Sequence, residues 1–92
     1  MSRTLAVEVE NRPGELARIV NLFAARGVNI ESLSVDATTD VAISVMSIVV
    51  DADDRATDQL LRTLDKQVRV LSARDVTDVG RGFSPPLPGE AG

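Results

Sequence analysis

Ninety-two residues, 43% hydrophobic and 26% charged with a net charge of −4, make one small globular domain whose stability should be modest unless it oligomerises. The chain has no Cys, His, Trp or Tyr, which excludes disulfides, thiolate or imidazole metal sites and a catalytic histidine, and leaves only Phe23 and Phe83 as aromatics; with the acidic balance, nucleic-acid binding is not expected. No apolar run approaches the roughly 18 residues of a membrane span, and the chain opens directly into a strand pattern, so the expectation is a cytoplasmic protein with no membrane association, no metal and no cofactor of its own.

Arg3–Glu10 alternates, with Leu5, Val7 and Val9 on one side and Thr4, Ala6, Glu8 and Glu10 on the other, a half-buried strand. Asn11-Arg12-Pro13-Gly14 breaks it. Pro13 suits the first position of a helix, where a missing N–H costs nothing. Leu16, Ile19, Val20 and Phe23 then make one apolar stripe, closed by Arg26 and a C-capping Gly27. Val28 and Ile30 share one parity of the next strand while Leu33, Val35 and Ala37 share the other, which predicts a bulge near Glu31-Ser32. Thr38-Thr39-Asp40 predicts a hairpin turn. Val41–Asp51 is apolar on both parities, as a central strand covered on each face would be, one face by helices and the other by a partner subunit.

Asp51-Ala52-Asp53-Asp54 supplies N-cap candidates for a second helix carrying Thr57, Leu60, Leu61 and Leu64 inward and ending near Gln67. The same acids read better as helix-capping than as a cation site. Val68–Val79 reads as a fourth strand. Residues 80–92 hold four Gly and three Pro, including a Pro85/Pro88 PxxP spacing, and read as a flexible tail rather than a docking motif, so the folded domain is expected over residues 1–79.

The order βαββαβ predicts an α+β, ferredoxin-like fold: a four-stranded antiparallel sheet, strands one and three central, both helices on one face. Fold does not fix function, so the site is read from residues. Around Pro13-Gly14-Glu15-Leu16, a helix start offers free N–H groups and a positive dipole end to an anion, and Gly14 allows close approach. Asn11 can cap that helix or reach a bound polar group, and taken alone these six residues read better as a plain helix cap than as a binding site. Asn29, between Val28 and Ile30, is either a turn amide or a ligand contact. The two segments lie at opposite ends of one helix, so a single small ligand meets both only across a symmetric dimer. Among cations near the first segment, Arg12 and Arg18 stand alone, and Arg18 reads as a solvated helix residue. No convergent catalytic set emerges, which argues against a small ferredoxin-like hydrolase.

The run from Asn11 to Val35, N-R-P-G-E-L-A-R-I-V-N-L-F-A-A-R-G-V-N-I-E-S-L-S-V, resembles the ACT domain of the small regulatory subunit of acetohydroxyacid (acetolactate) synthase. The likeness extends from about Thr4 to Asp78 and includes M-S-I-V-V and V-R-V-L-S-A-R-D-V; R-G-x-N-I-E-S-L is its more specific part. The resemblance implies a homodimer joined through the sheets at the second strand, with a branched-chain amino acid such as valine bound at the interface. It implies effector contacts at Asn11, Gly14 and Asn29, flanked by Pro13, Glu15, Leu16, Val28 and Ile30. Thiamine diphosphate and magnesium would belong to the large catalytic subunit, the implied partner, and not to this chain. Many such small subunits continue into a second domain, where this chain continues into its Gly/Pro-rich segment. A free-standing ACT homodimer sensing an amino acid for another partner is the competing reading.

Overall fold

The computed structural model describes residues 1–77, and the expected tail lies outside them. The chain runs β1 (Ser2–Glu10), α1 (Glu15–Ala25), β2 (Asn29–Ala37), β3 (Ile43–Asp51), α2 (Asp54–Asp65) and β4 (Val70–Asp75). One antiparallel sheet has the order β2-β3-β1-β4, the ferredoxin-like βαββαβ arrangement with β1 and β3 central.

The alternation in β1 sets the core. Leu5, Val7 and Val9 are fully buried and pair with Ile48, Met46 and Ser44 of β3. Because paired residues share a face, this side of the sheet meets the helices, where Ile19, Phe23, Leu60 and Leu64 are also fully buried. On the opposite face Ile43, Val45 and Val49 stay half-buried, so the described residues do not close over the second face of β3.

The phase change in β2 is a bulge, as the parity argument predicts. Ile30 pairs with Val50 and Ser32 with Val49, leaving Glu31 as the additional residue. That residue returns Leu33, Val35 and Ala37 to the face already occupied by Ile30.

Both helices end in specific chemistry. Gly27 has φ 71; its N–H donates to the Ala24 carbonyl and that of Val28 to the Phe23 carbonyl, the paired bonds of a Schellman ending. At α2, the Asp53 carboxylate accepts from the Ala56 N–H at 2.8 Å. Arg3, also on the helix face, forms ion pairs with Asp54 at the start of α2 and with Asp75 of β4.

Three boundaries differ from the sequence reading. β3 starts at Ile43 rather than Val41, because Asp40 Oδ1 accepts from the Ala42 N–H and Thr38 Oγ1 bonds Asp40, drawing Val41 into an exposed turn. α2 ends at Asp65, not near Gln67. β4 is shorter than Val68–Val79: Val68 is exposed, and the Asp75 carboxylate accepts from the Thr77 N–H, a side-chain turn that ends the strand. Among the described residues no helix is long and apolar enough to cross a membrane.

The bulge makes a sharp stability prediction. Deleting Glu31 leaves Leu33 and Val35 on the helix face and is expected to cost less than about 2 kcal/mol in urea unfolding, whereas deleting Ser34 carries Val35 to the open face and should cost about 3 kcal/mol or more.

Candidate functional site

The segment after β1 is a tight turn followed by an uncapped helix. Glu15 N–H donates to the Arg12 carbonyl at 3.1 Å, and Gly14 has φ 81 and ψ −11. Proline second and a left-handed glycine third define a type II turn. Pro13 therefore precedes the helix instead of opening it, a correction to the sequence reading: Gly14 is the N-cap and Glu15 the first helical residue. The Gly14 carbonyl accepts from the Arg18 N–H at 3.0 Å, the first bond of the helix.

No side chain caps this end. Asn11, the expected cap, instead ties the turn to the β2–β3 hairpin: its N–H donates to the Ala42 carbonyl at 2.7 Å and its Nδ2 to the Val41 carbonyl at 3.3 Å. Among the described residues, the N–H groups of Gly14, Leu16 and Ala17 therefore have no acceptor within the chain. These are orphan donors at the positive end of a helix dipole, the arrangement that receives a carboxylate or phosphate. A Cβ built on Gly14 would have nothing within 4 Å, so the approach to those donors is open.

Glu15 was the least legible residue of the segment. It is 5% exposed, with Oε2 3.9 Å from Arg69 Nε and 4.0 Å from Arg18 Nη1. Arg69 was missed by the sequence reading, which counted only Arg12 and Arg18 near the turn. The Glu10 N–H donates to the Arg69 carbonyl at 2.9 Å, continuing the β1–β4 pairing and delivering Arg69 to the helix start. Its signal was the strand pairing itself, not any local motif. Arg18 is half-exposed as expected, yet its Nη2 also donates to Gln67 Oε1 at 2.8 Å.

The second expected segment lies at the other end of α1. Val28 and Ile30 pack partly buried against the core, and Asn29, exposed, opens edge strand β2 opposite Asp51. A groove of about 490 Å³ there runs between the helices, lined by Ala25, Arg26, Val28, Ala56, Gln59 and Leu60. Within one chain the structure thus brings Asn11, Pro13, Gly14, Glu15 and Leu16 together, and separates them from Val28, Asn29 and Ile30 by the length of an eleven-residue helix. No group of three potential metal-ligating side chains occurs among the described residues.

A family model described as the AHAS small subunit-like ACT domain matches residues 5–72. The chain belongs to this family. Over 78 residues this ACT domain is 44% identical to a probable acetolactate synthase small subunit of Archaeoglobus fulgidus, covering 85% of this chain and 49% of that protein. It is 42% identical over 82 residues to the acetolactate synthase isozyme 3 small subunit of Escherichia coli, covering 89% of this chain and 48% of that one. Among solved structures, the acetolactate synthase small subunit of Thermotoga maritima superposes with a TM-score of 0.75 at 31% identity, over 82% of this chain and 47% of that one. The ACT domain of a GTP pyrophosphokinase from Chlorobium tepidum reaches a TM-score of 0.69 at 14% identity, a likeness of fold alone. The chain spans about half the length of the small subunits it matches.

Replacing Gly14 by Ala meets no clash but forces an alanine into the left-handed region. The expected cost is about 1–2 kcal/mol by urea unfolding, with Gly14→Asn costing less because Asn tolerates that conformation. Equal stability of Gly14→Ala and wild type would contradict the turn geometry.

Proposed function

We propose that this chain is an effector-sensing ACT module of an acetolactate synthase small subunit, binding a branched-chain amino acid such as valine across a homodimer interface and modulating a large, thiamine-diphosphate-dependent catalytic subunit. The observation that carries this reading is the uncapped start of α1 in an ACT domain of the small-subunit family: donors at Gly14, Leu16 and Ala17 have no acceptor among the described residues and stand beside an open, left-handed glycine. The effector's carboxylate takes those donors, and its branched side chain lies against apolar surface near Leu16.

The sheet supplies a way to complete the site. β2 is an edge strand, and its helix-face residues Leu33 and Val35 are 43% and 41% exposed. Antiparallel pairing of β2 with its copy about a two-fold axis covers them and removes a nine-residue edge. Such pairing sets Asn29 of one copy beside the Ala37 end of the other. Ala37 leads into the hairpin that Asn11 grips, so the Asn29 amide arrives on the side of the partner's Pro13-Gly14 turn. Asn29 and Ile30 then close the pocket against the effector's ammonium and side chain.

A thermal-shift screen of the twenty amino acids tests the reading directly, because a ligand that binds only the folded state raises the melting temperature. Valine or a close branched-chain relative should give the largest rise; no rise with any amino acid would overturn it. Co-purification with a large thiamine-dependent subunit separates a synthase subunit from a free-standing sensor. Gly14→Asp, which places a carboxylate at the carboxylate's own seat, should stay folded and lose the valine response.

The dimeric composition of the site gives an independent test. Gly14→Asp and Asn29→Ala homodimers should each bind valine weakly, whereas mixed dimers of the two variants regain one intact site of two. Mixed dimers with no recovered binding would show that the two segments do not share a ligand.

A further inference from the structure

The first turn of α1 is crowded with charge. Arg12, Arg18 and Arg69 face Glu10 and Glu15, one positive charge in excess within a chain whose net charge is −4. Glu10 is served by Arg12, whose Nε donates to its Oε1 at 3.1 Å. Glu15 has no such donor. Its side chain is 6% exposed, its Oε2 stands at ion-pair distance from Arg69 and Arg18, and its buried Oε1 has no hydrogen-bond partner among the described residues.

This carboxylate sits at the first helical residue, next in sequence to the open donors of Leu16 and Ala17. Left uncompensated, it would repel a second carboxylate arriving at the same helix end. In a partly buried setting that repulsion opposes the attraction a helix N-terminus offers. Arg18 is partly committed elsewhere, its Nη2 donating to Gln67. Arg69 makes no side-chain hydrogen bond among the described residues; its guanidinium lies between two carboxylates, Nη1 3.7 Å from Glu10 Oε1 and Nε 3.9 Å from Glu15 Oε2, and its backbone is fixed by the Glu10 N–H. It reaches Glu15 from a different element of the fold.

We propose that Arg69, at the entry to β4, is a positioning residue of the effector site: it neutralises the buried Glu15 carboxylate so that the first turn of α1 accepts the carboxylate of an amino acid. This rests on the effector reading above and adds to it a residue far away in sequence. Arg69 acts through Glu15, without touching the ligand, so its role is set by charge balance.

Calorimetric titration of the full chain with valine tests this, comparing wild type with Arg69→Gln, Arg69→Lys, Glu15→Gln and the Glu15→Gln/Arg69→Gln pair. Arg69→Gln should weaken valine binding about tenfold or more, with a smaller deficit at high salt, and Arg69→Lys should restore most of it. With Glu15 neutral, Arg69 has no carboxylate left to compensate at the first helical residue and keeps only its 3.7 Å ion pair with Glu10, so the double variant should bind within about threefold of Glu15→Gln alone, a comparison in free energy that a double-mutant cycle isolates. It also stands if Arg69→Gln alone fails to fold. Arg69→Gln binding valine as wild type does, or a double variant as impaired relative to Glu15→Gln as Arg69→Gln is to wild type, overturns the inference and leaves the effector reading intact. A wild-type chain that binds no amino acid in the same titration defeats the effector reading, and this inference with it.

Discussion

The nine paired residues between β1 and β3, from Ser2 opposite Asp51 to Glu10 opposite Ile43, fix where everything else in the domain can be. Their register places Leu5, Val7 and Val9 over Ile48, Met46 and Ser44, which decides the face that the helices cover. It also decides the ends. At one end β1 hands over to the Pro13-Gly14 turn, within reach of the hairpin that precedes β3. At the other, β3 ends beside the start of β2, where Asn29 lies opposite Asp51. A shift of one residue in this ladder would turn the apolar set outward and carry the turn away from the hairpin that Asn11 holds.

Much of this was legible in the sequence because it rested on period. Two-residue alternation gave β1 its inward face, the 3.6-residue stripe gave α1 its buried Ile19 and Phe23, and the parity change around Glu31 gave the bulge. The helix ending was legible for a different reason: glycine is the residue best suited to the left-handed position of Gly27, and the residues before it had run out of apolar stripe. Pro13 was misplaced because proline is favoured both at a helix start and as the second residue of a turn; the left-handed Gly14 after it settles the choice for the turn. The missing pieces of the site were non-local. Glu15 lies four and eight residues before Ile19 and Phe23, on the buried face of α1, but a charged side chain at a helix start reads as solvated, and Arg69 comes near it only through antiparallel pairing of the first strand with the last.

The domain is asymmetric in how completely it closes over itself. The helix face of the sheet is dry at its centre. The opposite face leaves Ile43, Val45 and Val49 half-buried, and edge β2 leaves Leu33 and Val35 partly exposed. A domain this small has little apolar surface to spare, so association that covered β2 would add stability as well as complete the proposed site. On the proposed reading, folding, pairing and ligand binding draw on the same residues and strengthen one another by mass action.

Helix α1 carries a further consequence. Its eleven residues, bounded by the left-handed glycines Gly14 and Gly27, span about 16 Å at 1.5 Å per residue. A free amino acid is far shorter than that, so on the proposed reading α1 works as a ruler that forbids any single subunit from gripping the effector with both halves of the site. The dose–response curve then contains the association constant of the subunits. On that reading diluting the protein is expected to lower apparent effector affinity, and by thermodynamic reciprocity the effector would tighten the dimer by the same factor. A sensor so built reads its own abundance together with the metabolite.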